Sequence, residues 1–154
     1  MKTGSRCRFT DQQSISKLQN KRLLGAFVNA MVLHYTAKEN RLQYIFVNDD
    51  FLHQLNLQYL QHDTYTDIIT FDLSEKNALM INSEIYISTD RVLENASLLK
   101  VPYMHELYRV IIHGALHLCG FKDKTKAQQM EMRALESEWL EKYLTSQKDK
   151  HTFI

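Results

Sequence analysis

The chain has 154 residues, 44% hydrophobic and 24% charged, the composition of one globular domain long enough to bury its own core. A net charge of +1 lacks the strongly basic signature of a general nucleic-acid binder, although a local basic groove is compatible with it. Cys7 and Cys119 form neither a C-x2-C pair nor a disulfide framework, and four glycines and one proline leave little room for linkers.

Residues 1–154 are therefore expected to form a single domain. The polar N-terminus lacks an apolar signal region, and no window approaches the roughly 18 apolar residues of a membrane span. With the cysteine usage, this predicts a cytoplasmic protein with no membrane partner.

In chain order, the segment around Phe9 can add a strand. Ser14 to about Lys38 reads as an amphipathic helix with Leu18, Leu24, Phe27, Val28, Met31 and Val32 on its apolar stripe. Lys17, Lys21 and Arg22 read as its solvated face. Leu42–Val47 is β-branched and aromatic, a strand covered on both sides. Asn48-Asp49 caps a short helix, Phe51 to Tyr59. Asp67–Leu73 and Glu84–Ser88 make two more strands.

A helical pattern runs from Thr89 to about Leu99. After Pro102, a first-turn residue, Tyr103 to Cys119 reads as the central helix, burying Leu107, Val110, Ile111, Gly114 and Leu118. Thr125 with Gln128 fits a capping box for a last helix carrying Met132, Leu135, Trp139 and Tyr143 on one face. The polar tail from Ser146 to Ile154 is expected to fray. The expected fold is α+β, a small mixed sheet packed with about five helices around a metal-binding central helix.

The chemistry concentrates in His113-Gly-Ala-Leu-His117-Leu-Cys-Gly120-Phe-Lys-Asp123. Histidines four apart on a helix lie about 40° out of register, so both imidazoles can reach one ion. Gly120 can take the left-handed conformation that ends a helix, returning Asp123 as third ligand. The spacing is that of the extended zinc-helix motif, zincin-like, with Gly114 in place of the catalytic Glu and Asp123 in place of the third His. Three ligands leave an open position, which favours chemistry over structure; zinc is the expected ion, although other transition metals accept the same donors. Bound water can reach a pKa of about 7 without a partner base, so hydrolysis survives the loss of the Glu. A zinc peptidase is disfavoured, and Gly114 is better explained by close packing of the helix on the sheet.

Cys119 points about 200° from His117 on a continuing helix and reads as a small buried hydrophobe. In Tyr65-Thr66-Asp67-Ile-Ile-Thr70-Phe71-Asp72 a plain strand competes with a functional role for Thr66, Asp67 and Thr70, with Asp67 orienting a ligand or substrate. His62 and Asp63 read as a solvated loop, and His34, His53, His105 and His151 share no spacing.

These stretches together resemble the YbeY family of bacterial metal-dependent endoribonucleases, called rRNA maturation factors. The family pattern H-G-x-L-H-L-x-G-[YF]-D-H is similar to residues 113–123, T-D/N-V-L-[ST]-F to residues 66–71, and L-N-x-x-Y to residues 55–59. The resemblance covers about residues 40–144. It departs at Asp123, which stands for a third His, and at Leu60, where the family usually carries an Arg thought to help catalysis on RNA.

The resemblance implies one zinc per chain and cleavage of single-stranded RNA. It further implies work on the 3′ end of 16S ribosomal RNA in the small subunit and on ribosome quality control, with ribosome-assembly proteins as further partners. The combined reading assigns the metal to His113, His117 and Asp123, with His113 coupled to catalysis through it and Asp67 beside it. Two rivals are a ribosome-assembly factor with a structural metal and weak nuclease activity, and a metal hydrolase of peptide or amide bonds.

Overall fold

The computed structural model describes residues 4–61 and 65–152, with side chains described as far as residue 148. The strands are β1 (Arg6–Asp11), β2 (Glu39–Val47), β3 (Ile68–Asp72) and β4 (Met80–Ser88). The helices are α1 (Lys21–Thr36), α2 (Asp49–Leu55, continued by a π-helical turn over Asn56–Leu60), α3 (Thr89–Leu99), α4 (Tyr103–Leu118) and α5 (Lys126–Thr152). The sheet order is β1-β2-β4-β3, with β1, β2 and β4 parallel and β3 antiparallel at one edge. This is the expected α+β arrangement with a mixed sheet and five helices.

β2 is interior, and both its faces are buried, as its apolar run requires. Tyr44 and Phe46 face the main core, while Ile45 and Val47 join a smaller cluster with Leu52 and Ile69. The strand begins at Glu39, three residues before its apolar run. Asn40 is fully buried there because Asn29 Nδ2 donates to its Oδ1 at 2.6 Å and its own Nδ2 donates to Asn29 O at 3.1 Å.

α1 starts at Lys21, not Ser14. Residues before it are held by side-chain hydrogen bonds that compete with a helix: Ser14 Oγ donates to Val47 O, and Asp11 Oδ1 accepts from Ser16 N. Lys17 and Asn20 adopt left-handed backbone, which a continuous helix does not allow. Leu18 is still buried, but from an irregular segment.

α4 is the central helix. Nine of its residues are buried, among them Leu107, Ile111, Gly114 and Leu116, and it packs on α1, α3, α5, β3 and β4. Tyr44 Oη donates to Ile111 O at 2.8 Å, pinning the helix to the sheet. A Cβ at Gly114 would lie 2.8 Å from Ile68 Cδ1 and 3.3 Å from Ile85 Cγ2, so the close packing expected of that glycine is present. Pro102 stands one residue before the helix, as its N-cap, where its fixed φ is also tolerated.

The capping box of α5 is formed: Gln128 N donates to Thr125 Oγ1 and Thr125 N to Gln128 Oε1, both at 3.1 Å. The helix continues to Thr152, beyond Ser146, where the polar composition predicts fraying. Pairs four apart, Lys142 with Glu138 and Gln147 with Tyr143, support its later turns, where Tyr143 is also buried in the core. Among the described residues, no helix is long and apolar enough to cross a membrane.

Candidate metal centre

α4 ends in the Schellman arrangement that Gly120 permits. Phe121 N donates to Leu116 O and Gly120 N to His117 O, with Gly120 at φ +98°. Phe121 then packs edge-on against Tyr35, whose hydroxyl accepts from Trp139 Nε1 at 2.7 Å. The chain is thus turned back and anchored before it reaches Asp123.

Three donor atoms meet at that turn. His113 Nε2 and His117 Nε2 are 3.0 Å apart, and Asp123 Oδ2 lies 3.4 Å from the first and 3.3 Å from the second. A tetrahedral ion with bonds of about 2.0–2.1 Å separates its ligands by roughly 3.3–3.4 Å. The two imidazole nitrogens and one carboxylate oxygen therefore fit one divalent ion, with slight widening of the histidine pair. Among the described residues this is the one group of three His, Cys, Asp or Glu able to hold a metal. Side-chain exposure rises from 18% at His113 to 39% at Asp123, so the cluster opens to solvent on the Asp123 side.

Behind His113 lies a charged chain whose two carboxylates are buried and whose guanidinium is partly exposed. His113 Nδ1 donates to Glu136 Oε2 on α5, and Glu136 Oε1 accepts from Arg109 Nη1 at 2.6 Å. Arg109 Nη2 and Nε grip both oxygens of Glu106, at 2.6 and 2.8 Å. Burial pushes the Glu136 carboxyl up, but the His113 hydrogen bond and the Arg109 charge outweigh it and hold the group below its ordinary range. An ionised carboxylate only accepts, so Nδ1 of His113 carries the proton and the lone pair of Nε2 is left on the side of His117 and Asp123.

Asp67, just ahead of β3, lies within electrostatic reach of His113 and Arg109. Burial raises its carboxyl above the ordinary range against the lowering pull of both. Its Oδ2 accepts from Asn95 Nδ2 at 3.5 Å. Thr70 Oγ1 faces α4 at Gly114, while Thr66 Oγ1 is turned to Ile68 O. Cys119 packs against the core, where burial pushes its thiol up to about 12, and it stands outside the donor cluster. His34 and His53 make ring contacts elsewhere. His62 and Asp63, and the side chain of His151, lie outside the described residues.

Sequence reasoning missed Glu106, Arg109 and Glu136. Arg109, His113 and His117 recur every four residues on one face of α4, a signal present in the sequence. Glu136 is brought in only by the packing of α5 on α4.

A family model described as Endoribonuclease YbeY matches residues 7–144. The chain belongs to the YbeY family. The endoribonuclease YbeY of Flavobacterium psychrophilum is 46% identical over 121 residues, covering 79% of this chain and 85% of the relative. That of Amoebophilus asiaticus is 45% identical over 123 residues, 79% of this chain and 82% of its own length. The solution structure of TM1509 from Thermotoga maritima superposes with a TM-score of 0.62 at 27% identity, over 94% of this chain and 93% of that one. YbeY membership and the His-His-Asp cluster, which can hold a metal, thus coincide in one chain.

Proposed function

We propose that this YbeY-family chain is a single-domain, zinc-dependent endoribonuclease specific for single strands, with one zinc held by His113, His117 and Asp123. It acts in the cytoplasm on the 3′ end of 16S ribosomal RNA in the small subunit, within late ribosome maturation and quality control. The observation that carries the reading is the triangle of Nε2, Nε2 and Oδ2 atoms at the Gly120 turn, 3.0 to 3.4 Å on its edges. The names of the relatives support the substrate class.

A bound divalent ion supplies Lewis-acid polarisation of a phosphoryl oxygen and activation of water or of the substrate 2′-hydroxyl. His113 and His117 contribute neutral nitrogen donors, and Asp123 adds one negative charge. Gly114 removes the peptidase base; bound water can ionise without one, and a carboxylate outside the motif can assist proton handling. We assign that role to Asp67, which lies within electrostatic reach of His113 and whose carboxyl is raised by burial. RNA affinity comes from local Lys and Arg and from exposed aromatics such as Tyr59 and Tyr65, and weakens with salt.

One observation favours a second reading. Leu60 is 44% exposed at the position where the family resemblance places an Arg, which suits an assembly factor with a structural metal and weak nuclease activity. The two separate in one experiment. Purified protein is assayed on single-stranded RNA, duplex RNA and casein, with chelator and after zinc is restored. Cleavage confined to single-stranded RNA, abolished by chelator and recovered with zinc, supports the nuclease. Undiminished cleavage in chelator refutes its metal dependence.

A further inference from the structure

The Glu106–Arg109–Glu136 chain is costly to build. Side-chain exposure is 1% at Glu106 and 3% at Glu136, and 30% at Arg109, whose guanidinium lies between them. Ion pairs with buried carboxylates carry a desolvation cost that can match their Coulombic gain, so stability alone is a weak account of this one. Its geometry is also directional. Glu106 takes the Nε–Nη2 edge of Arg109, which fixes the guanidinium plane and aims Nη1 at Glu136 Oε1. That leaves Glu136 with one oxygen, Oε2, and its partner is His113 Nδ1. Glu106, Arg109 and His113 all lie on α4, at spacings of three and four, while Glu136 reaches across from α5.

Two carboxylates and one guanidinium sum to a net charge of −1, and the assembly touches the candidate centre only through His113. We infer that Glu136 is a positioning residue for the metal, oriented by Arg109 and Glu106, which fixes the His113 tautomer and raises the donor strength of its Nε2. Carboxylate partners behind metal-bound histidines act in this way in other sites. The inference rests on His113, His117 and Asp123 holding a metal, as proposed above. A role confined to tying α5 to α4 is its rival.

The test is zinc affinity of the full chain at 25 °C, by competition with a chromogenic chelator, for wild type, Glu136→Gln and Glu106→Gln. Nitrogen-15 shifts of the His113 ring in the zinc-loaded wild type provide a second readout. Glutamine keeps the shape of Glu136 and can accept from Nδ1, but it lacks the charge. Glu136→Gln is expected to weaken zinc binding by about 10–100-fold with the far-ultraviolet circular dichroism of the zinc-free protein unchanged. Glu106→Gln, which touches no ligand, should lose affinity in the same direction and by less. The ring shifts should show Nδ1 protonated and Nε2 bound to metal.

Wild-type affinity in Glu136→Gln overturns the inference, as does a ring bound through Nδ1. If Glu136→Gln does not fold, Glu106→Gln decides, and wild-type affinity there overturns it equally. A wild-type chain that takes up no zinc refutes the metal centre itself, a failure distinct from wild-type uptake that Glu136 does not influence.

Discussion

Gly114 and Ile68 approach so closely that one added carbon would displace the end of the isoleucine: a Cβ on the glycine would stand 2.8 Å from Ile68 Cδ1. The glycine that stands where a zinc peptidase has its glutamate thus also serves the close packing of α4 on the sheet. Gly114→Ala should lower unfolding stability by about 1 kcal/mol, since crowding of a methyl outweighs the gain in helix propensity. Gly114→Glu should lower it by about 3 kcal/mol or more, because a charged side chain meets Ile68 and Ile85. Urea denaturation at constant slope checks both. A Gly114→Glu protein as stable as wild type would show that the sheet does not exclude the side chain.

Asp123 is the proposed ligand that departs from the family resemblance. Asp123→Ala should reduce zinc affinity at least as much as loss of a supporting group, about 100-fold. Asp123→His should keep zinc bound, since imidazole nitrogen bonds zinc at nearly the same length as carboxylate oxygen. Metal content after dialysis against a weak chelator distinguishes them. Full zinc content in Asp123→Ala would remove Asp123 from the ligand set.

The legible part of this centre is the local part. His113, His117, Gly120 and Asp123 fall within eleven consecutive residues, and helix geometry plus one left-handed glycine suffices to bring them together. Glu136 is invisible in the same way because it lies 23 residues from His113 and depends on how α5 lies along α4. The same contrast holds in the fold. The core helix α4 was readable from its apolar circumference, whereas the start of α1 was not. The periodicity of Leu18 with Leu24 and Val28 continues through a segment whose hydrogen bonds go to Val47 and Asp11 instead. Asp67 was readable only as one residue of a strand block; its nearness to His113 comes from β3 pairing with β4 under α4.

Asp67 carries a pH signature. Burial raises its carboxyl above the ordinary 3.8, so the stability tied to its neutral form is full below that value and is lost as pH rises through the folded-state value. In zinc-free protein Asp67→Asn should therefore melt higher than wild type at pH 7, and the difference should close as the pH falls to about 3.5, where the wild-type carboxyl is also neutral. RNA cleavage by the variant should fall by about 10–100-fold, the loss expected when a group that handles a proton is removed. Thermal melts at both pH values, with rates at pH 7, check this; an equal melting difference at both would contradict it.

Leu60 offers a gain of function. It is 44% exposed at the end of the π-helical turn, so Leu60→Arg should change stability by no more than about 0.5 kcal/mol. A guanidinium there should increase cleavage of single-stranded RNA several-fold and steepen its salt dependence by about one phosphate contact. Steady-state kinetics across a salt series measures both. An unchanged rate and slope would show that this position does not face the RNA.

Whether His113, His117 and Asp123 hold the ion that cleavage requires is tested most directly by one paired measurement. Metal content and cleavage of a defined, end-labelled single-stranded RNA are determined on the same preparations of wild type, His117→Ala and Asp123→Ala. The expected result is about one zinc per chain with cleavage in the wild type, and joint loss of both in folded variants. Variants that cleave at the wild-type rate after losing the metal would contradict the account.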